Sequence, residues 1–337
     1  MEVNFPSGIA ARSGIARSDC APRSGFVARF VRSGTPLRRP SRLLAAALAL
    51  ALPAAAQTLE EIPLRPPLPA GTAPTIEEVT YRHTELDDRG FNRSVRSVTV
   101  PTVTVHRPAR PDPRGLALVM CPGGGYGGIA LDKEGHALGR YFAARGITVA
   151  VLKYRLPNPA QTPDGLPFSQ QDALAAVRLL RSRASAWGLN PQRIGIAGGS
   201  AGGHLAGSVA ILGDAADGSR PDFVCLLYPV VCFEGPYAHR GSRTNLLGAN
   251  PPAARIAEYS LERRARAGLP PFFFVHARDD KGVPSQNSEL FAAALREHGV
   301  PAEVLIVATG GHGFGLGRDA ESGRWKDAFL AWLEKLP

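Results

Sequence analysis

The chain has 337 residues, 44% of them apolar, with 37 glycines, 30 prolines and a formal charge of +10. That apolar fraction supports a sizeable core, and the glycines and prolines follow no period or low-complexity block, which excludes a disordered or fibrous chain. The charge is uneven: residues 1–56 hold eight arginines against Glu2 and Asp19, a net of +6, and the remaining +4 is scattered among acids with no basic stripe, which excludes a nucleic-acid-binding surface.

In chain order, residues 1–37 read as a poorly structured extension. Residues 38–56 follow with Arg38, Arg39 and Arg42 ahead of the apolar run LLAAALALALPAAA. That run is too short to span a bilayer and ends in small residues, the pattern of a cleaved export signal, so a secreted or periplasmic location without a stable membrane anchor is expected. Residues 57–75 read as a flexible start of the mature protein, and a catalytic domain is expected over 76–337.

From there β-type runs alternate with helix-type runs, which predicts a mostly parallel central sheet with helices on both faces. Strands over 76–83 and 98–106 adjoin without a helix and suit an antiparallel hairpin at one edge. A strand over 116–121, a glycine-rich turn, a helix near 134–144 and a strand over 148–154 make one βαβ unit. A helix over 170–187 ends at Gly188 and Pro191, and 193–197 reads as a buried central strand. A small-residue helix from Ala201, a strand over 223–229 and a less regular stretch over 232–269 follow, the last suited to a cap or substrate loop. The chain closes with a strand over 272–276, a helix over 285–298, a strand over 302–307 and a helix over 323–336.

Cysteines form no framework. Cys20 falls in the removable part, Cys121 and Cys225 sit in apolar runs that read as core, and Cys232 makes an odd number with no metal spacing. A bridge between Cys225 and Cys232 has nothing in the sequence to support it, and no cluster suggests a metal or requires a cofactor.

The informative segment is RIGIAGGSAGGHLA, where Gly198-Gly199-Ser200-Ala201-Gly202 follows a strand and opens a helix. A serine on so sharp a turn is held in a strained conformation with its hydroxyl above the sheet. The lysine of a phosphate-binding loop is missing. A serine hydroxyl needs a base, and two late histidines are candidates. His298 ends a predicted helix and suits a cap; His312, in the loop Thr309-Gly310-Gly311-His312-Gly313-Phe314-Gly315, is the expected base. The acid should follow the strand over 272–276. Asp280 is expected there, opening a D-x-x-V-P run, with Asp279 left to cap the turn or meet solvent; its task is to orient the imidazole.

Acyl transfer also needs donors for the developing oxyanion. Pro122-Gly123-Gly124-Gly125-Tyr126 follows an apolar strand, and the amides of Gly124, Gly125 and Ala201 are the expected set, each worth on the order of 100-fold in turnover. Tyr126 and Tyr228 are weaker candidates for lining a substrate pocket. His204 reads as a packed helix residue and Asp172 as a helix cap or pair.

Taken together, KYRLPN (153–158), the long run 171–206, DDKGVP and GGHGFGL resemble the carbohydrate acetyl and feruloyl esterase branch of the α/β hydrolases, often called acetylxylan esterase-like or xylanase-like. The similarity covers about residues 76–335 with every catalytic element in order. It implies a serine carboxylic-ester hydrolase acting through an acyl-enzyme on acetyl or other small acyl groups of plant polysaccharides or oligosaccharides, with a small-molecule or polysaccharide ester as partner and no cofactor. Gly199 stands where many relatives carry a bulky aromatic, and Pro122 where lipase-like relatives carry histidine. A peptidase or a general small-ester or aryl esterase of the same fold, and a silent binding protein on a hydrolase scaffold, are the rival readings. Oligomeric state is not written in the sequence.

Overall fold

The computed structural model describes residues 59–65, 78–83, 92–162 and 165–336. The expected extension and export signal lie outside these residues, as does most of 57–75. The described residues fall in one unit of chain, 54–337.

Among the described residues ten strands form: β1 (Glu60–Pro63), β2 (Val79–Arg82), β3 (Arg93–Arg96), β4 (Thr102–His106), β5 (Ala117–Cys121), β6 (Thr148–Lys153), β7 (Ile194–Gly199), β8 (Val224–Leu227), β9 (Phe272–Ala277) and β10 (Ala302–Val307). Eight of them make a sheet in the order β1-β4-β6-β5-β7-β8-β9-β10, and β2 pairs with β3 in a separate two-stranded ribbon. From β6 through β10 the pairings are parallel; β4 runs antiparallel to β6, and β1 antiparallel to β4. Strands β5, β7, β8 and β9 are buried at every position, as central parallel strands covered on both faces must be, which is why they read as unbroken apolar or small-residue runs.

The edge differs from expectation in two places. The predicted hairpin of 76–83 with 98–106 does not form, because β4 takes β1 as its outer partner and β2 takes β3. Residues 60–63, expected in a flexible start, are therefore part of the sheet, and Leu64 N–H extends the pairing to Pro101 O at 2.9 Å. Four mostly exposed residues, Glu-Glu-Ile-Pro, carry no alternation from which an edge strand could be read.

Helices cover both faces. The α-helices are α1 (Ala137–Ala143), α2 (Phe168–Ser182), α3 (Ala184–Trp187), α4 (Ser200–Leu212), α5 (Arg240–Leu247), α6 (Ala253–Tyr259), α7 (Gln286–Glu297), α8 (Ala320–Gly323) and α9 (Trp325–Leu333), and a π-helical turn, Asp132–His136, precedes α1. Neighbours on β9 point to opposite faces: Phe272 meets Phe291 of α7, with ring centroids 5.4 Å apart, and Phe273 meets Phe329 of α9 at 5.6 Å. Phe142 of α1 joins the α9 face through Trp325 and Phe329. The less regular stretch over 232–269 holds α5, α6 and a 3-10 turn. Cys121, Cys225 and Cys232 are all free and buried, so Cys225 and Cys232 form no bridge.

Parallel strands bring their carboxyl ends to one edge of the sheet. The loops after β5, β7, β8, β9 and β10 therefore open together, the crevice where open α/β sheets bind ligands.

Candidate active site

Ser200 follows β7 directly and begins α4, with φ at +54° and the residue 6% exposed. A left-handed backbone at a non-glycine residue is uncommon and costs free energy, so the surroundings must impose it. They do so by close approach: a Cβ at Gly202 would run into the carbonyls of Cys121 and Pro122, so only glycine lets α4 start this near the loop after β5. At Gly199 a Cβ would stand 2.7 Å from Glu134 Oε2 and 3.0 Å from a Tyr228 ring carbon, which excludes a side chain before the serine.

The loop after β10 brings His312 to Ser200. Ser200 Oγ donates to His312 Nε2 at 2.8 Å, and His312 Nδ1 donates to Asp280 Oδ2 at 2.7 Å. The other Asp280 oxygen accepts the amides of Gly282 at 2.8 Å and Val283 at 2.9 Å. Burial pushes the Asp280 carboxyl up, but hydrogen bonds from His276 and His312 outweigh it and hold the group well below the usual carboxylate range. Hydroxyl, imidazole and carboxylate thus stand in series, as acyl transfer by a serine requires.

Asp279 takes a different part. Its carboxylate accepts Gly311 N–H at 2.8 Å and so fixes the loop that carries His312. His298 follows α7 as an exposed cap whose N–H bonds to Leu295 O at 3.1 Å; it is not drawn into this constellation.

After β5 the loop turns through Gly124, Gly125 and Tyr126 at φ of +134°, +64° and +61°. Its carbonyls and first amide are held: Tyr154 hydroxyl donates to Pro122 O at 2.9 Å, Asn245 Nδ2 of α5 donates to Gly125 O at 2.8 Å, and Gly123 N–H donates to Glu134 Oε2 at 2.8 Å. Among the described residues the amides of Gly124, Gly125 and Ala201 donate to no protein acceptor, so all three are available to a developing negative charge.

Tyr126 and Tyr228, expected at a substrate pocket, are 1% and 0% exposed. Neither offers a free face to a ligand, because each ring is turned inward and each hydroxyl is engaged. Tyr126 donates to His204 Nδ1 at 2.8 Å, while His204 Nε2 donates to Tyr259 O at 2.8 Å. Burial pulls the His204 pKa down to about 4, in keeping with this neutral, doubly bonded ring, and Phe233 stacks on it at 4.5 Å. Tyr228, at φ +37°, donates to Glu134 Oε1 at 3.2 Å and accepts Gly315 N–H at 3.0 Å, with its ring 5.3 Å from that of His312. Asp172 pairs with Arg155 at 2.7 Å, as a structural acid.

Two residues escaped the sequence reading. His276 is fully buried at the end of β9; its Nε2 lies 2.8 Å from Val283 O and 3.3 Å from Asp280 Oδ2. A carbonyl only accepts, so Nε2 carries the proton, and Nδ1 accepts from Ser288 Oγ at 2.8 Å. Glu134 is the other, a buried acid facing both the glycine loop and Tyr228. Among the described residues no group of three or more His, Cys, Asp or Glu is placed to hold a metal ion, and no helix is long and apolar enough to cross a membrane.

Comparison with known proteins agrees with this geometry. A family described as the alpha/beta hydrolase fold matches residues 118–316. The acetylxylan esterase of Xylanibacter ruminicola is 34% identical over 234 residues, 67% of this chain and 47% of that protein. Endo-1,4-beta-xylanase B of Butyrivibrio fibrisolvens is 31% identical over 264 residues, 75% of this chain and 40% of that protein. The chain thus spans less than half the length of these two curated relatives. Among solved structures, an acetyl ester-xyloside bifunctional hydrolase from Caldicellulosiruptor lactoaceticus superposes with a TM-score of 0.65 at 31% identity, covering 82% of this chain and 95% of that one.

Proposed function

The chain belongs to the α/β-hydrolase family, and from that premise we propose that it is a serine carboxylic-ester hydrolase that removes acetyl or other small acyl groups from plant polysaccharides or their oligosaccharides. The observation that carries this reading is the series of contacts from Ser200 Oγ to His312 Nε2 at 2.8 Å and from His312 Nδ1 to Asp280 at 2.7 Å, beside three uncommitted amides.

In this mechanism Ser200 Oγ attacks the acyl carbon while His312 Nε2 takes its proton. The carbonyl oxygen becomes negative in the space served by the amides of Gly124, Gly125 and Ala201. His312 then returns the proton to the departing alcohol, leaving an acyl-enzyme on Ser200. Water enters, His312 takes a proton from it, and collapse of the second tetrahedral species frees the acid and restores the serine. Asp280 keeps the tautomer and supports the imidazolium without taking the proton.

The substrate class rests on the names of the relatives, one an acetylxylan esterase and one an acetyl ester-xyloside hydrolase. Cell export rests on the apolar run over 43–56 behind Arg38, Arg39 and Arg42, and the catalytic domain is read as residues 76–337, with β1 added at the sheet edge. Turnover of acetylated xylan, 4-nitrophenyl acetate and aminoacyl nitroanilides should be compared side by side, with Ser200→Ala as the control. Acetate release that falls by at least about four orders of magnitude in Ser200→Ala is expected. A preference for the anilides would make the protein a peptidase, and undiminished turnover in Ser200→Ala would move the nucleophile elsewhere.

A further inference from the structure

Glu134 takes no part in the reaction described above, yet it bonds one loop of the site directly and reaches a second through Tyr228. It lies in the π-helical turn before α1 and is 5% exposed. Burying a carboxylate costs free energy unless its oxygens are satisfied. The partners here are an amide and a phenol rather than a cation: Oε2 accepts Gly123 N–H at 2.8 Å and Oε1 accepts the Tyr228 hydroxyl at 3.2 Å.

Those two contacts lead in different directions. Gly123 opens the loop whose next two amides are the proposed oxyanion donors. Tyr228 accepts Gly315 N–H at 3.0 Å, and its ring packs 5.3 Å from that of His312, so it holds the loop that delivers the base. Between them is the nucleophile turn: a Cβ at Gly199 would lie 2.7 Å from Glu134 Oε2, and one at Gly313 would lie 3.5 Å from Oε1. The absence of a side chain at residue 199 is what makes room for the carboxylate.

We infer that Glu134 is a positioning residue for ester hydrolysis, its two oxygens fixing the oxyanion loop through Gly123 and the His312 loop through Tyr228 at one point beside the nucleophile turn. A carboxylate suits this task because it accepts on both oxygens, whereas a glutamine offers one acceptor and must turn a donor toward the other partner. Burial and the adjacent Glu134 charge push the Tyr228 hydroxyl well above its ordinary pKa, so the phenol keeps the proton that it donates. The inference rests on the esterase reading above. Its consequence is kinetic: loosening both loops harms interactions made in the transition state more than those made with the bound ester.

The test uses the full chain and 4-nitrophenyl acetate, with thermal unfolding followed in parallel. Glu134→Ala should lower kcat by about tenfold to hundredfold with KM within about threefold. Glu134→Gln should fall between Glu134→Ala and the unsubstituted protein, since its single oxygen can still take Gly123 N–H. Tyr228→Phe should lower kcat as well, and the double variant Glu134→Ala, Tyr228→Phe should lose less than the product of the two single losses, because the two share one link. Unchanged kcat in folded Glu134→Ala, or additive losses in the double variant, would overturn the inference. Should Glu134→Ala not fold, Glu134→Gln decides: a several-fold loss of kcat at constant KM supports the role, and an unchanged kcat overturns it. Ser200→Ala, measured in the same assay, separates the two claims: its retained turnover would remove Ser200 as nucleophile and with it the site on which the inference rests, whereas its loss beside a fully active Glu134→Ala would sink only this one.

Discussion

The two flanks of Ser200 are built from different materials. On the β9 and β10 flank, side chains do the holding: the buried carboxylate of Asp280 receives two amides, His312 and His276, and Asp279 pins Gly311. On the β5 flank the proposed oxyanion donors are main-chain amides, and the surrounding side chains hold other main-chain groups of the loop, Tyr154 at Pro122 O, Glu134 at Gly123 N–H and Asn245 at Gly125 O. The difference follows from what each flank must do. A proton relay needs a charge that persists beside the imidazole; an oxyanion needs donors that are rigid and committed to nothing else beforehand.

The comparison predicts unequal consequences. The largest belongs to the charged flank: Asp280→Asn should cut turnover by about four orders of magnitude, through loss of the charge and of the correct tautomer, measured as kcat on 4-nitrophenyl acetate with folding checked by circular dichroism. A loss of tenfold or less would mean that the acid only packs. On the amide flank Gly124→Ala should cost on the order of 100-fold in kcat, because its φ of +134° suits glycine and an added Cβ would meet the Gly128 carbonyl, tilting the donors. Near-native kcat there would show that these amides are not the oxyanion donors.

The charged flank should also carry a pH signature in stability. Asp280 is held below its unfolded value, so its contribution is complete above the ordinary carboxylate range of about 4 and is lost as pH falls through that range toward the lowered folded value. Unfolding midpoints measured from pH 6 downward should therefore drop less steeply in Asp280→Asn than in the unsubstituted protein; identical slopes would contradict the cited cause. The smallest effect is expected for Asn245→Ala, which removes one exposed bond to Gly125 O and should lower kcat by roughly threefold. A loss near that of Gly124→Ala would make α5 a principal support of the loop.

The same contrast explains which parts of the site could be read from the sequence. Ser200, His312 and Asp280 announce themselves because a nucleophile turn, a glycine-rich histidine loop and a D-x-x-V-P run each need particular residues at fixed spacing after a strand, and parallel strands bring their carboxyl ends together. The central strands were equally legible, since burial on both faces leaves unbroken apolar runs. Support residues carry no such mark. Glu134 in DKEGHALG looks like any acid near the start of a helix, and His276 is one polar residue in an aromatic strand. Tyr126 and Tyr228 lie in loops that flank the site, but both are buried with their hydroxyls bonded to protein partners, and both have positive φ, which no pattern in the sequence forecasts. Strand β1 leaves no mark in the sequence, because Glu-Glu-Ile-Pro has no periodicity and its pairing with β4 is a tertiary choice.

The central claim is that the hydroxyl of Ser200 is made nucleophilic by His312. Treating the full chain with a fluorophosphonate probe and locating the added mass by peptide mapping tests it most directly. The account predicts a single modified site at Ser200, with labelling slowed by at least about a thousandfold in His312→Ala. Modification of another residue, or undiminished labelling of Ser200 without the imidazole, would contradict it.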